Sequence, residues 1–302
     1  MMLKITTLAA LFALLPALCA AEKVAITFDD LPLNGSLPPG VTEVDIVKRV
    51  LPIFAERKLP PMYGFINARK LESSAAGAEA LKLWVAGGQP VGNHTYSHID
   101  LTRNSVEDFT RDAIQNEPAL LLLSSSNDWH WFRYPYLHEG DTIEKRQAVR
   151  AFLQDRNYQI AQTTLDYEDY LWNSAYARCA EKKDSKSIAW LRTSYLETAA
   201  AYLDGNRSMA KTVFGREINH VLLLHLGAYS PEILPPFFDL LKARGFEVVT
   251  LEEAQRDPIY KIDPNFVNPQ PGTLLEQHMD VKSLPYPPLP QKPREKLAAI
   301  CM

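Results

Sequence analysis

Short apolar runs alternate along the chain with longer amphipathic stretches. The runs are typical of strands because they are brief and rich in β-branched and aromatic residues, whereas apolar positions in the stretches between them recur at helical spacing. The predicted strands are VAITF (24–28), PMYGFI (61–66), QPVG (89–92), HWFRY (130–134), QIAQTTL (159–165), HVLLLH (220–225) and FEVVTL (246–251). The predicted helices cover 44–57, 79–87, 105–123, 142–156 and 231–244. This alternation predicts an α/β fold with a mainly parallel sheet or barrel.

The alternation lapses in two places. Residues 170–216 are predicted to be a helical insertion, in which an apolar stripe from Trp190 to Leu203 indicates core packing rather than a ligand site. Proline becomes frequent from Asp257 onward, so we expect residues 257–302 to form an extended surface arm without regular structure of its own. The expected organisation is a barrel domain over residues 22–256 followed by this C-terminal extension.

The N-terminal residues have the pattern of a secretory signal peptide. Lys4 precedes an apolar run that ends at Leu18, and small residues follow up to Ala21. We therefore predict a signal peptide over residues 1–21 and an exported protein, either periplasmic or secreted. The run is too short to span a bilayer comfortably, which predicts no stable membrane insertion. Cys179 and Cys301 would remain after cleavage, and they could either pair or stay as free thiols.

Composition narrows the class of protein further. The chain has 302 residues, of which 46% are hydrophobic and 23% charged, and this balance is ordinary for a globular protein. The formal net charge is −4, and no basic block interrupts the sequence. A nucleic-acid partner is therefore not expected.

Polar residues cluster where the predicted strands end. In an α/β barrel the loops at the C-terminal ends of the strands converge on one face, so clusters at five strand ends predict a single site. The five clusters are Asp29 and Asp30, Asn93 and His94, Arg133 to Tyr136, Asp166 to Asp169, and His225.

The histidine pair in HTYSH suggests a metal site. His94 and His98, with Asp29 or Asp30, supply the two imidazoles and one carboxylate of a familiar catalytic zinc set. Thr95 stands where a helical zinc protease motif has glutamate, so a base must come from elsewhere. Adjacent residues leaving a strand point in different directions, so one aspartate can bind the metal while the other faces the water.

Together these residues resemble the polysaccharide deacetylases that share the NodB homology domain, carbohydrate esterase family 4. The resemblance rests on five motifs in the family's order and covers roughly residues 24–251. It implies an irregular (β/α)7 barrel, here with a helical insertion before the last motif and a Pro-rich C-terminal arm. The motifs are TFDD (27–30), HTYSH (94–98), RYPY (133–136), DYEDY (166–170) and LLLH (222–225).

The resemblance implies a metal centre and a base. Asp30, His94 and His98 would bind a divalent metal, usually Zn²⁺ and in some relatives Co²⁺ or Ni²⁺. Asp29 would be the general base for water activated by the metal, and Arg133 would hold and orient it.

The remaining motifs imply the acid and the substrate pocket. His225 would be the general acid, with its pKa tuned by Asp169, and the backbone N–H of Tyr136 would help to stabilise the oxyanion. Leu224 would line the pocket for the acetyl methyl group. Tyr170 occupies a position where the family commonly has tryptophan, so the pocket wall is expected to differ.

The expected function is hydrolytic removal of acetyl groups from a carbohydrate, with N-acetyl groups of an amino sugar favoured. The substrate partner would be an acetylated glycan or oligosaccharide. Three alternatives stay open: an esterase for O-acetyl groups on xylan-like glycans, a hydrolase of a non-sugar cyclic amide, and a non-catalytic glycan-binding protein. Because the base, the acid and the metal ligands are all present, catalysis is favoured over binding alone.

Overall fold

The computed structural model describes residues 21–124, 129–270 and 272–302. The predicted signal peptide therefore lies outside the described residues except for Ala21. The described part of the chain forms seven strands, of which the sixth has the predicted bounds. The strands are β1 (Glu22–Leu31), β2 (Gly64–Ile66), β3 (Val91–Asn93), β4 (Trp131–Phe132), β5 (Gln159–Ile160), β6 (His220–His225) and β7 (Phe246–Val249).

All the pairings between these strands are parallel, in the order β5-β4-β3-β2-β1-β6. Strand β7 pairs with the first residues of β1, and β2 pairs with its last residues. The chain beyond β5 returns to β6 through a single bridge between Leu165 and Leu222, so the sheet curls. The predicted irregular α/β barrel is confirmed. Strands β4 and β5 are shorter than predicted because only two residues of each are paired.

Helices cover the outside of the sheet and connect most of its strands. The side chains of Thr42 and Ser105 accept hydrogen bonds from backbone N–H groups three residues on, which fixes the starts of α1 and α3. No helix in the described ranges is long and apolar enough to cross a membrane. The helices are α1 (Glu43–Glu56), α2 (Ala75–Ala86), α3 (Val106–Leu123), α4 (Ile143–Asp155), α5 (Leu171–Glu181), α6 (Ser185–Phe214), α7 (Ser230–Ala243), α8 (Leu251–Ala254), α9 (Leu274–Val281) and α10 (Arg294–Ala299).

Alternation along β1 separates the inside of the barrel from the main core. Val24, Ile26 and Phe28 belong to the large apolar cluster that the outer helices cover. Ala25 belongs to a second cluster, with Phe65 and other residues of the barrel interior. Because side chains alternate between the two faces of a strand, Asp29 at the end of β1 shares the face of Ala25.

The insertion between the fourth and fifth motifs is helical, as predicted. It contains α5 and the 30-residue α6. The apolar stripe of α6 packs into the main core, where Leu191, Tyr195, Ala199 and Leu203 are buried. These residues serve packing, in agreement with the prediction.

The C-terminal arm contains regular structure, so the expectation that it would form none is wrong. Helix α9 begins at a capping box in which Thr273 and Glu276 each bond the other's backbone N–H. Helix α10 follows Pro293 directly. The prolines of the arm flank these two helices instead of interrupting them, and proline disrupts a helix mainly from its interior.

A disulfide between Cys179 of α5 and Cys301 attaches the end of the arm to the insertion. Of the two possibilities left open by the sequence, the structure has the paired one. The guanidinium of Arg178 reinforces the attachment by donating hydrogen bonds to the carbonyls of Leu297 and Ile300, at 2.6 and 3.2 Å.

Candidate active site

A cavity of about 900 Å³ opens at the C-terminal ends of the strands. It collects residues from all five polar clusters, and Arg133, which shares a cluster with Tyr136, lies buried behind Asp29. The register of β1 and β6 places Asp29 beside His225. The lining residues from the five motifs are Asp29, Asp30, His94, His98, Tyr136, Asp166, Glu168, Tyr170, Leu223 and His225.

Asp30, His94 and His98 form a compact group of possible metal ligands. One ligand atom from each lies within 4.8 Å of the other two. The Nε2 atoms of His98 and His94 lie 3.3 and 3.8 Å from Oδ1 of Asp30. All three side chains are at least partly buried, and two nitrogen donors with one carboxylate suit Zn²⁺ and related divalent ions. These residues therefore fit a metal ion.

The histidines are held in the form that ligands require. Nδ1 of His94 lies 2.8 Å from the carbonyl oxygen of Arg133, so this nitrogen carries the proton and Nε2 has a free lone pair. Burial lowers the pKa of His94 to about 4. Burial and the neighbouring His94 also lower the pKa of His98 to about 4. Both imidazoles are therefore neutral at physiological pH.

Asp30, the next-to-last residue of β1, has an unusual backbone conformation. Its φ is 66°, in the left-handed region that costs a non-glycine residue roughly 1–2 kcal/mol. The side-chain amide of Asn34 donates to Oδ2 at 2.8 Å, and the ammonium of Lys70 donates to the backbone carbonyl at 2.7 Å. Burial raises the pKa of Asp30, but the charges of Lys70 and the histidines outweigh it and lower the pKa below its usual range.

Asp29 is held by a buried arginine. Nη1 of Arg133 lies 3.0 and 3.2 Å from the two carboxylate oxygens, and Nη2 donates to Oγ1 of Thr27 at 3.1 Å. Nε of Arg133 donates to the carbonyl of Ala161 at 2.6 Å, and its guanidinium lies over the ring of Phe65. Burial raises the pKa of Asp29, and Arg133 only partly offsets this. Asp29 is thus fixed in orientation with a raised proton affinity.

His225 is paired with Asp169. Nδ1 of the imidazole lies 2.8 Å from Oδ1 of Asp169, and the other carboxylate oxygen accepts the backbone N–H of His225 at 2.9 Å. Burial lowers the pKa of His225, but Asp169, with the aspartates of the first motif, outweighs burial and raises the pKa to about 9. The ring of Tyr170 stands edge-on to this imidazole, with 5.2 Å between the ring centroids.

Tyr136 also has a left-handed backbone, with φ of 60° and ψ of 7°. No acceptor within the described ranges hydrogen-bonds its N–H. Its ring packs edge-on against His98, with 4.3 Å between centroids. The residue therefore lies against the metal-ligand group with an available backbone donor.

The expectation for Leu224 is wrong. Leu224 is fully buried in the main core and does not line the cavity, whereas Leu223 does. The reason is the period of two in a strand, which places Leu223 on the same face as His225 and turns Leu224 outward. That alternation, counted back from His225, would have identified the correct residue.

Several cavity residues lie outside the five motifs. His138 lies in the cavity with Nδ1 2.9 Å from Oδ1 of Asp100. The arm contributes a wall, in which Lys292 pairs with Glu168 at 2.9 Å. No local sequence signal marks these residues as part of a site. The arm residues in the wall are Gln270, Gly272, Thr273, Glu276 and Lys292.

The fold and the site define a class: an α/β barrel with an Asp-His-His group and paired acidic and basic side chains at one end. Residues 20–159 match the sequence model of the polysaccharide deacetylase family. The match covers just under half of the chain, includes the first three motifs and agrees with the resemblance drawn from them.

Two relatives illustrate the relationship. A chitin deacetylase of Arthroderma benhamiae is 26% identical over 147 residues, which are 49% of this chain and 35% of that protein. This chain thus matches about a third of the length of that curated relative. The solved structure of the chitin deacetylase from Colletotrichum lindemuthianum has a TM-score of 0.53 and 21% identity, covering 78% of this chain and 88% of that one. The latter similarity concerns the fold.

Proposed function

We propose that this protein is a metal-dependent hydrolase that removes acetyl groups from a carbohydrate, with N-acetyl groups of an amino sugar as the main substrate. The observation that carries this proposal is that three sets of side chains meet at one cavity, each with at least one member in the cavity wall. They are Asp29 with Arg133, Asp169 with His225, and the group Asp30, His94 and His98. The similarity to a chitin deacetylase supports the same reaction.

Asp30, His94 and His98 would hold the metal, for which Zn²⁺ is the first choice and Co²⁺ or Ni²⁺ are alternatives. A divalent ion bound there supplies Lewis acidity to the acyl group and to water. Asp29 takes the proton from the attacking water, because it lines the same cavity and its raised pKa increases its affinity for a proton. Arg133 is a positioning residue that keeps the Asp29 carboxylate in one orientation.

Attack on an acetamide carbon places negative charge on the former carbonyl oxygen. The free N–H of Tyr136 is a donor for that oxygen. Collapse of the tetrahedral intermediate breaks the C–N bond only when the amine is protonated, and His225 gives up that proton. The raised pKa of His225, about 9, keeps its imidazole protonated at neutral pH. Because Nδ1 is bound to Asp169, Nε2 is the nitrogen that gives up the proton. Acetate and a free amine are the products.

We infer that the protein is exported to the periplasm or secreted. The signal peptide predicted over residues 1–21 supports this location, as does the pairing of Cys179 with Cys301, because structural disulfides persist in oxidising compartments. An envelope or extracellular glycan would be accessible to the enzyme there.

Acetate release by the purified protein tests the proposal. The protein is incubated with N-acetylglucosamine oligomers, acetylated xylan and a cyclic imide in parallel, with chelator and after addition of Zn²⁺. We expect zinc-restored acetate release from the N-acetyl oligomers. Release from xylan alone would replace the amide with an ester substrate, and ring opening of the imide alone would replace the carbohydrate. No turnover of any substrate by the metal-loaded protein would favour a binding role.

Two variants separate the metal from the base. His94→Ala should lose bound zinc in elemental analysis, because one of three ligands is removed. Asp29→Asn should keep zinc while kcat falls by about 10²–10⁴, the usual contribution of a general base. Unchanged zinc content in His94→Ala would refute the ligand assignment, and full activity in Asp29→Asn would remove that residue from the role of base.

A further inference from the structure

Lys70 contacts the metal-ligand group from outside the five motifs. It lies on the 3-10 turn Ala68–Glu72 that follows β2, and its side chain reaches back to the end of β1. The ammonium nitrogen lies 2.7 Å from the backbone carbonyl oxygen of Asp30 and 3.3 Å from that of Leu33. It also lies 3.7 Å from Oδ1 of Asp30, the oxygen that faces both histidines.

These contacts give Lys70 two effects on Asp30. The hydrogen bonds to the carbonyls of Asp30 and Leu33 hold the turn in which Asp30 has its left-handed φ. The second effect is electrostatic: the ammonium of Lys70 compensates the charge of the Asp30 carboxylate. Each of the two neighbouring carboxylates, Asp29 and Asp30, thus has its own cation. Arg133 bonds Asp29, and Lys70 is paired with Asp30. The charges of these two carboxylates are therefore nearly cancelled by the two cations before any metal binds.

A divalent ion that binds Asp30 must be accommodated near this fixed positive charge. Repulsion between a unit charge and a divalent ion a few ångströms apart is substantial even with strong dielectric screening. This repulsion offsets part of the attraction of the Asp30 carboxylate for a cation, so it lowers the affinity of the three ligands for metal.

We propose that Lys70 is a positioning residue that holds Asp30 by its backbone and whose positive charge weakens metal binding at Asp30, His94 and His98. Lys70 thereby sets the affinity and the release rate of the metal, without itself acting as a ligand. The inference rests on the metal site of the proposed function, but it concerns metal binding and needs no substrate.

Asn34 provides a matched control. Its amide donates to Oδ2 of Asp30 at 2.8 Å, so it also orients this ligand, but it carries no charge. Loss of Asn34 removes a hydrogen bond that orients Asp30 and leaves the formal charge of the site unchanged. Removal of the charge at Lys70 should therefore raise the metal affinity, whereas removal of the orienting bond from Asn34 should not raise it.

The experiment measures Zn²⁺ and Co²⁺ affinity of the purified full-length protein by competition with a chromophoric chelator, and metal release into excess chelator by stopped flow. Lys70→Met and Lys70→Gln should bind metal at least about tenfold more tightly and release it more slowly, because a nearby unit charge is removed. Lys70→Arg should stay close to wild type. Asn34→Ala should bind metal more weakly or equally. Circular dichroism and thermal unfolding check that each variant folds. If Lys70→Met does not fold, Lys70→Gln serves as the neutral variant, because its amide can still donate a hydrogen bond to the backbone carbonyls.

Equal or weaker metal binding by the folded neutral variants would overturn the inference. Such a result would refute only the role of Lys70 if the wild type binds one metal per chain and His94→Ala binds none, because the metal site itself would then be supported. If the wild type binds no metal, both the inference and the metal centre of the proposed function fail. Lack of activity with normal metal binding would affect only the proposed reaction.

Discussion

Asp169 contacts His225 twice: one carboxylate oxygen lies 2.8 Å from Nδ1 of the imidazole, and the other accepts its backbone N–H at 2.9 Å. The ring is therefore fixed in orientation as well as in charge. Only Nε2 remains free, and it lies 4.0 Å from Oδ2 of Asp30. A proton held on this nitrogen faces the cavity in which the amine would leave.

Replacement of Asp169 should change the pH dependence of turnover. The pKa of His225 is raised to about 9, mainly by Asp169, so the imidazolium is present at neutral pH and is lost as the pH rises through that value. Asp169→Asn removes the stabilising charge, which lowers the pKa of His225 and moves the alkaline limb of the kcat profile to lower pH. The activity of the variant relative to wild type should therefore fall further at pH 8.5 than at pH 6.

Asp166 offers a control for that profile. It is a second carboxylate of the same motif in the cavity, but its Oδ1 accepts the backbone N–H of Glu168. Asp166→Asn should shift the alkaline limb less than Asp169→Asn does. An unchanged alkaline limb in Asp169→Asn would show that His225 does not supply the proton.

The two neighbouring leucines of the last motif should respond differently to truncation. Leu224 is fully buried in the core, so Leu224→Ala should lower the free energy of unfolding by about 2–5 kcal/mol. Leu223 lines the cavity, and Leu223→Ala should enlarge the acyl pocket and increase the rate on N-propionyl relative to N-acetyl substrates. Urea unfolding and the ratio of kcat/KM for the two acyl groups measure these effects. A change in acyl preference in Leu224→Ala alone would restore our original assignment.

The motifs allowed much of the site to be predicted, because they lie at strand ends that a parallel barrel brings together. Asp30 lies near the end of β1, and His94 and His98 follow β3, so the predicted strands bring these distant segments to one end of the barrel. The motif taken alone points to Leu224, whereas the period of two along the strand points to Leu223.

Contacts between distant elements could not be predicted in the same way. Lys70 and Asp30 are 40 residues apart, and Lys292 and Glu168 are 124 apart. Such contacts depend on how loops and the C-terminal arm pack after the barrel has formed, and no periodicity encodes them. Helix α9 is a different case, because its Thr273 and Glu276 capping box is a local signal that the frequency of proline obscured.

The disulfide predicts a definite thiol count. Protein lacking residues 1–20 contains only Cys179 and Cys301, and both are paired. Under denaturing, non-reducing conditions it should show no free thiol, and after reduction it should show two. Cys301→Ser should lower the stability by about 2–4 kcal/mol, because the bond closes a long loop in the unfolded chain. Two free thiols before reduction would contradict the structure.

A buried ion cluster at the opposite end of β1 makes stability depend on pH. Oε1 of Glu22 lies 3.0 Å from Nε2 of His220, and Arg207 pairs with the other carboxylate oxygen. Burial raises the pKa of Glu22, but His220 and Arg207 outweigh burial and lower it. The folded state therefore binds this proton less readily than the unfolded state, where the pKa is about 4.3.

The direction of the pH dependence follows from this difference in the pKa of Glu22 between the folded and unfolded states. Above about pH 4.3 the charged Glu22 stabilises the folded protein, and this contribution is lost as the pH falls toward the lower folded pKa. Glu22→Gln should cost roughly 3 kcal/mol at pH 7, because it leaves the guanidinium of Arg207 without its buried counterion. The free-energy difference between wild type and variant, measured by urea unfolding, should shrink between pH 5 and pH 3. A difference that stays constant over this range would mean that the carboxylate contributes through packing and hydrogen bonding instead of through its charge.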